Sequence, residues 1–591
     1  MAENEDGRVK EKCVFLKRVL SSILIKKKMQ WNEETELARY ITFKDTLLFT
    51  TAIVLASFYE GMPRIISTYG YMIFFPLLLS GMMSFITSIC FAELISLNPN
   101  SGGCYRYVYY TMGELMGFLV GWSVIYTSFM EIVNSTEIIT HKLDKSLFGG
   151  QIGNFTARNL QLGGLENYFL QILPNAHLHN LVVSMAIAGL FACGVKCGCI
   201  VLDIVSFFNI LIIFICMAIF WFYMDLSKFN ILGATEDFSF FTEGAVEGHL
   251  FYMDFEVASY AGSESVNPTV SLPTGLVEGF QIGFMIYMGS IILYSARMGA
   301  AEQNVSDPVM KNALWNLGFK HFCYLPPIGL IICHYLSGRA ALYEGSRVIY
   351  TMAKDGLIFS IFGRVHPKFR NPYNAHIAIA VICYLVSVFI GIAPSTKWSL
   401  IAMETIVRIM VLLAYLMTRY RCESDEQTYE EKDVHKKRWV LTNCPHSLNI
   451  PNKTTETISV WLIFLTVITI ISAEFIMMFY IIGTNNNQLF LRLSFITSLV
   501  IAFISVHLLN QQPINERKHF PYKVRGMPFT PILAITWYTL ILMFLPSVIW
   551  VKMFCWWIIG ILFYFSYACL RSKEFKKWES GSTPGISLPP S

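Results

Sequence analysis

The sequence predicts an all-α polytopic membrane protein of about 14 transmembrane helices. Three observations predict it. Of 591 residues, 54% are hydrophobic and 15% charged, whereas a soluble chain of ordinary composition carries about 25% charged residues. The apolar residues stand in long blocks, and a hydrocarbon layer about 30 Å thick needs roughly 20 such residues per helix. Lys and Arg cluster in alternate loops, as positive-inside topology requires. Only helices satisfy the backbone hydrogen bonds of such blocks in lipid.

Taken in order, the blocks lie at 46–66, 72–96, 112–139, 181–197, 200–224, 249–263, 276–296, 322–343, 374–393, 398–418, 456–482, 488–509, 528–548 and 551–570. The sixth is short, contains Gly262 and is followed by Asn267-Pro268. Residues 1–44 hold Arg8, Lys10, Lys12, Lys17, Arg18, Lys26, Lys27, Lys28, Arg39 and Lys44. The loops 347–370, 419–453 and 515–525 are also basic, and all three fall on the N-terminal side of the predicted spans. The opposite loop at 140–180 has only Lys142, Lys145 and Arg158. Both termini are therefore expected in the cytosol of a multi-pass cell-membrane protein.

This gives a cytosolic basic N-terminus (1–44), a core of ten helices (45–418), a cytosolic linker (419–455), four accessory helices (456–570) and a cytosolic tail (571–591). No cleavable signal peptide is expected, since the first 44 residues are polar and the first apolar run is too long for one. Residues 15–28 read either as a basic amphipathic helix on the inner leaflet or as a solvated flank. The cysteines, among them Cys193, Cys197 and Cys199, are scattered through membrane blocks and imply no disulfide framework. Of four Asn-x-Ser/Thr sequons, Asn154 and Asn304 fall in expected outside loops and are candidate glycan sites, while Asn134 lies in a span and Asn452 in the cytosol. No phosphate-cradling Gly-Lys loop, paired metal-spaced histidines or serine elbow occurs, so no enzyme, cofactor, metal or nucleic-acid role is expected. No ATP-binding motif is present either.

The segment CFAELISLNPNSGGCYRYVYYTMGELMGFLVGW (Cys90–Trp122) resembles the second and third helices of the cationic amino acid transporters, members of the amino acid–polyamine–organocation superfamily. RVIYTMAKDGLIF (Arg347–Phe359) is similar to the end of that family's eighth helix. LARYITFKD (Leu37–Asp45), the run around Ser263–Pro268 and FPYKVRGMPFTP (Phe520–Pro531) match in the same order. The resemblance implies inverted five-helix repeats (spans 1–5 and 6–10) plus four accessory helices, with spans one and six interrupted near the midplane and an amino acid held between them. Half-helix N-termini and unwound carbonyls suit the two ends of a zwitterion. On this sequence the implied substrate-binding residues are Ala56, Ser57, Tyr252, Asp254, Glu256, Glu114 and Asp203. Glu93, Arg347 and Asp355 take gating or structural positions. The lipid bilayer and an amino-acid substrate are the expected partners; whether an accessory protein joins them is left open by the sequence.

The chain also departs from the family. Thr50, Ala52, Ala56 and Phe58 replace a glycine-rich run in the first span, and none of them reaches φ > 0 as cheaply as glycine. Asp254 stands where the sixth span of the family has glycine, Asp203 where the fifth has lysine, and Met403 near a glycine of the tenth. Intramembrane charges appear instead: Glu60 and Arg64 in span one, and Glu404 and Arg408 in span ten, are spaced i,i+4 for mutual pairing. Asp203, Asp254 and Glu256 have no basic residue within helical reach. They read as partners of a cationic group, as proton or cation sites, or as neutral structural acids. Glu114 reads as a transport residue or as a first-turn acid favoured by the helix dipole.

Two functions of different classes fit. One is sodium-independent transport of cationic amino acids (arginine, lysine, ornithine) by alternating access. The other is a non-transporting scaffold or regulator with a degenerate site; a transporter with an altered substrate lies between them.

Overall fold

A computed structural model describes residues 25–27, 35–147, 151, 195–224, 238–298, 309–389, 395–422, 451–482, 488–515 and 522–579. Its elements are helical. Among the described residues the single β pairing is an isolated parallel bridge between Ile41 and Ser265. Eight described helices are long and apolar enough to cross a bilayer.

The first span starts where Asp45 accepts hydrogen bonds from both the amide and the hydroxyl of Thr42 at 2.7 Å, satisfying an orphan donor of the first turn. It then runs as α1 (Phe43–Val54), a 3₁₀ turn (Leu55–Ser57) and α2 (Phe58–Tyr69). α3 is Phe74–Leu97, α4 Gly103–Met112 and α5 Glu114–Leu147. The predicted block 112–139 lies almost wholly in α5: Gly113, at φ 104, separates α4 from α5 at its start. α6 covers Val195–Phe222; of the predicted span 181–197, residues 181–194 lie outside the described residues.

The weak block at 249–263 is the second part of a longer interrupted helix. α7 (Phe238–His249) continues through a 3₁₀ turn (Leu250–Tyr252), breaks at Met253–Asp254, and resumes as a 3₁₀ segment (Phe255–Glu264). The sequence shows only half of it because polar residues of α7 dilute the apolar run. α8 (Ser271–Met298), the short α9 (Val309–Asn316), α10 (Leu325–Asp355), α11 (Tyr373–Phe389) and α12 (Ser395–Arg419) come next. α13 (Lys453–Ile482), α14 (Gln488–Asn510), α15 (Phe529–Met543) and α16 (Ser547–Phe563) follow.

Packing explains two positions. α1 lies along α8, and α5 along α10. Gly262 lets the 3₁₀ segment cross the chain just after α3: a Cβ there would stand 2.5 Å from the backbone of Pro99. Phe58, fully buried, fills its place on α2 with its ring 5.3 Å from Tyr59 and 6.0 Å from both Tyr287 and Tyr294. The outward faces of α13, α14 and α16 carry exposed large apolar residues such as Trp461, Phe503 and Leu562, as lipid contact requires.

Candidate functional site

The break in the interrupted helix is held open by charge. Asp254 adopts a left-handed conformation, φ 61 and ψ 5, which short polar residues visit more readily than other non-glycine types. An aspartate can therefore occupy the expected glycine position without abolishing the break. Across it lies Arg408 of α12. Its Nη2 donates to the carbonyl of Tyr252 at 3.0 Å and to Glu256 at 2.9 Å, and its Nε donates to Glu256 at 3.1 Å. Arg408 also pairs with Glu404 one turn away, and Glu404 accepts the amide of Asp254 at 3.0 Å. The guanidinium stacks 4.4 Å from the centre of the Phe255 ring. Backbone groups freed by the break thus find side-chain partners inside the protein.

The first span is interrupted less deeply. Leu55–Ser57 tightens to a 3₁₀ turn, and the carbonyl of Leu55 accepts the thiol of Cys333 at 3.4 Å. Between this turn and the break lies a pocket. Ala56 and Ser57 line it on one side and Met253 and Asp254 on the other, with Glu60, Glu131, His334, Ser337 and Lys397 around them. Glu131 of α5 accepts the hydroxyls of Ser337 at 2.6 Å and Ser135 at 3.0 Å. Among the described residues no basic side chain forms an ion pair with Glu131 or Asp254.

Of the residues singled out in the sequence, Ala56, Ser57 and Asp254 meet in this pocket. Tyr252 and Glu256 stand beside the break, fully or nearly buried, and are engaged by Arg408. Arg408 is the basic partner that helical spacing alone did not reveal for Glu256. Asp203 is elsewhere, 3.2 Å from Lys44 at the start of α1. Glu114 is also elsewhere, accepting the hydroxyls of Tyr109 at 2.6 Å, Tyr564 at 3.0 Å and, more closely still, Ser572. Glu93 joins α3 to Tyr415, to Arg419 and to the amide of Val524. Arg347 pairs with Glu264 at 2.6 Å, and Asp355 with Lys27 at 2.6 Å and the Tyr105 hydroxyl at 2.8 Å.

The Glu404–Arg408 pair forms as its spacing predicts. Glu60 and Arg64 do not pair: Glu60 turns to Lys397 and His334, and Arg64 to Glu247. Asn134 lines the pocket, Asn452 caps α13 through the amide of Thr455, and Asn154 and Asn304 lie outside the described residues. Glu131 and Lys397 are the site residues that reading the spans passes over. An acid in the middle of an apolar block was the available signal for Glu131; Lys397 reads as an ordinary helix flank.

The family model for amino acid permease matches residues 56–444. The chain belongs to the amino acid permease family. It is therefore a multi-pass membrane protein of a family of transporters rather than of enzymes, and the matched stretch contains the break, the pocket lining apart from Ile53, and the α12 clamp. Among its relatives, the cationic amino acid transporter 4 of Mus musculus is 22% identical over 528 residues, covering 84% of this chain and 81% of the relative. The vacuolar cationic amino acid transporter 4 of Arabidopsis thaliana is 23% identical, covering 83% and 84%. The methylthioribose transporter of Bacillus subtilis (strain 168) is 25% identical over 351 residues, covering 57% and 72%. At such identity this permease is a divergent relative of the cationic amino acid transporters.

Proposed function

We propose that this chain carries amino acids with cationic side chains across a membrane, without sodium, by alternating access. The observation that carries the reading is the pair Asp254 and Glu131, two carboxylates on the pocket without a basic ion-pair partner among the described residues. A carboxylate inside a membrane is stabilised by a cation or by water; an ammonium or guanidinium group supplies that cation. The N-terminus of α2, adjoining the pocket at Ser57, is the favourable end of a helix dipole for a substrate carboxylate.

The same reading includes 14 spans, inverted repeats over spans 1–5 and 6–10, a core at 45–418, accessory helices at 456–570, cytosolic termini and residence in the plasma membrane with glycans at Asn154 and Asn304. The distribution of Lys and Arg supports the orientation. Glu93, Arg347 and Asp355, each in an ion pair at the N-terminal end of the bundle, act as cytosolic gate or strut residues. Ala56, Ser57 and Asp254 contact substrate; Tyr252 and Glu256 shape the break, and Glu114 and Asp203 act from outside the pocket.

The test is uptake of radiolabelled arginine, lysine and leucine by cells expressing the full chain, with surface delivery measured. Arginine uptake above the vector control, competed by lysine and unchanged when choline replaces sodium, is the expected result. No uptake by delivered protein sinks the proposal. A second reading, a non-transporting scaffold, draws on the densely packed Phe58 and on the single 3₁₀ turn that stands where the family unwinds its first helix. It predicts that null result.

A further inference from the structure

We infer that Lys397 is a built-in competitor for the side chain of a cationic substrate, and that its pairing with Glu60 sets the preference between dibasic and neutral amino acids. The inference rests on the transport reading above. Glu60 lines the pocket with Asp254 and Glu131. Unlike them it is already engaged by a basic group: Lys397 Nζ stands 3.3 Å from one carboxylate oxygen, and the His334 ring lies 3.4 Å from the other. Lys397 lies in the first turn of α12 with its side chain 31% exposed, whereas Glu60 is 22% exposed.

The two ends of this pair are unlike. Glu60 projects from α2, next to the turn that bounds the site. Lys397 is a strongly hydrated point charge on a flexible four-carbon stem, and swinging it into water leaves no buried ammonium behind. A zwitterion with a neutral side chain needs one cation site, which Asp254 and Glu131 provide. A dibasic substrate brings a second cation, and Glu60 is the remaining acid of the lining. That cation replaces Lys397 one for one, so the charge of the loaded pocket is the same with either substrate class. Because Lys397 is tethered, its effective concentration at Glu60 is on the order of millimolar or above. Dibasic substrates must overcome this competition and neutral ones need not.

The experiment measures KM for arginine and leucine in the wild-type chain and in Lys397→Gln, Lys397→Arg and Glu60→Gln, each corrected for surface delivery. Lys397→Gln should lower the KM for arginine about fivefold, the scale of one partly exposed ion pair, and leave that for leucine unchanged. Lys397→Arg should behave as wild type. Glu60→Gln should raise the KM for arginine and spare leucine. An arginine-to-leucine KM ratio identical in Lys397→Gln and wild type overturns the inference while leaving transport standing. If Lys397→Gln fails to reach the surface, Glu60→Gln decides alone, and an equal change for both substrates overturns the inference. Absence of all uptake by delivered wild-type protein is a separate result, which removes the transport reading and this inference together.

Discussion

Arg408 grips Glu256 through two nitrogens, and one of these nitrogens also holds the carbonyl of Tyr252 on the other side of the break. Both side chains are nearly or fully buried. Removing one partner of such a pair leaves an uncompensated charge and costs about 3–5 kcal/mol, whereas replacing both with apolar groups is often tolerated. Arg408→Met should therefore lower the melting temperature of the purified protein sharply. Adding Glu256→Leu and Glu404→Leu should recover much of the loss. Independent, additive losses in thermal unfolding would show that the three do not act as a unit.

Asp254 combines a backbone role with a charge. Asp254→Gly keeps access to φ 61 and removes the carboxylate; Asp254→Ala removes the carboxylate and strains the backbone by about 1–2 kcal/mol. Both should reduce arginine uptake, but only the alanine variant should lose thermal stability. Equal stability of the two would remove the left-handed residue as the reason for aspartate here.

Glu131→Gln keeps the acceptor oxygen used by Ser337 and Ser135 and removes a charge from the pocket. Stability should change little, and uptake of arginine and leucine should both fall, because both bring an α-ammonium to this acid. Unchanged uptake of both would remove Glu131 from substrate binding.

Gly262→Ala places a methyl group against the Pro99 backbone, which has no flexible end to yield. Overpacking of this kind costs about 1–3 kcal/mol or more. Reduced surface delivery, rescued at lower growth temperature, is the expected outcome, and normal delivery at both temperatures would contradict the close crossing.

At the N-terminal end of the bundle, Lys27→Ala leaves Asp355 with the hydroxyl of Tyr105 but without that ion-pair partner. Opening of this end should become easier. Cys199, buried on a second, apolar pocket lined by residues of α1, α6 and α10, reports it. Its labelling by a permeant thiol reagent, resolved by mass spectrometry, should be faster in Lys27→Ala than in wild type. Unchanged labelling would limit Lys27 to a static contact.

The all-helical membrane character was legible because apolar blocks of spanning length have few other physical explanations, and the interruption in the sixth span was visible in its short block and Gly262. The site itself was only half legible. Asp254 stands out as an acid in place of glycine, and the i,i+4 spacing reveals Glu404 with Arg408. Periodicity carries no information across helices, however, so it could not bring Arg408 to Glu256, separate Glu60 from Arg64, or place Glu131 opposite Asp254. The partners of Glu114 were hidden for the same reason. Its place in a matching motif says nothing of Tyr564 and Ser572, which approach it from the far end of the chain.

The short pairing at Ile41 and Ser265 bears on how the molecule can move. The amides of Tyr40 and Ile41 both reach the carbonyl of Glu264, and the amide of Val266 returns to the carbonyl of Ile41. Main-chain bonds therefore stitch the root of the first helix to the exit of the interrupted one, while side chains of α10 (Arg347 and Tyr343) tie that joint to its neighbour through Glu264. Peeling the stitch apart would strand several backbone groups at once; releasing the side chains strands fewer and lets water or a new partner replace them. The cheaper parting line runs beside the joint, so the two helices should travel as one rocker against α10.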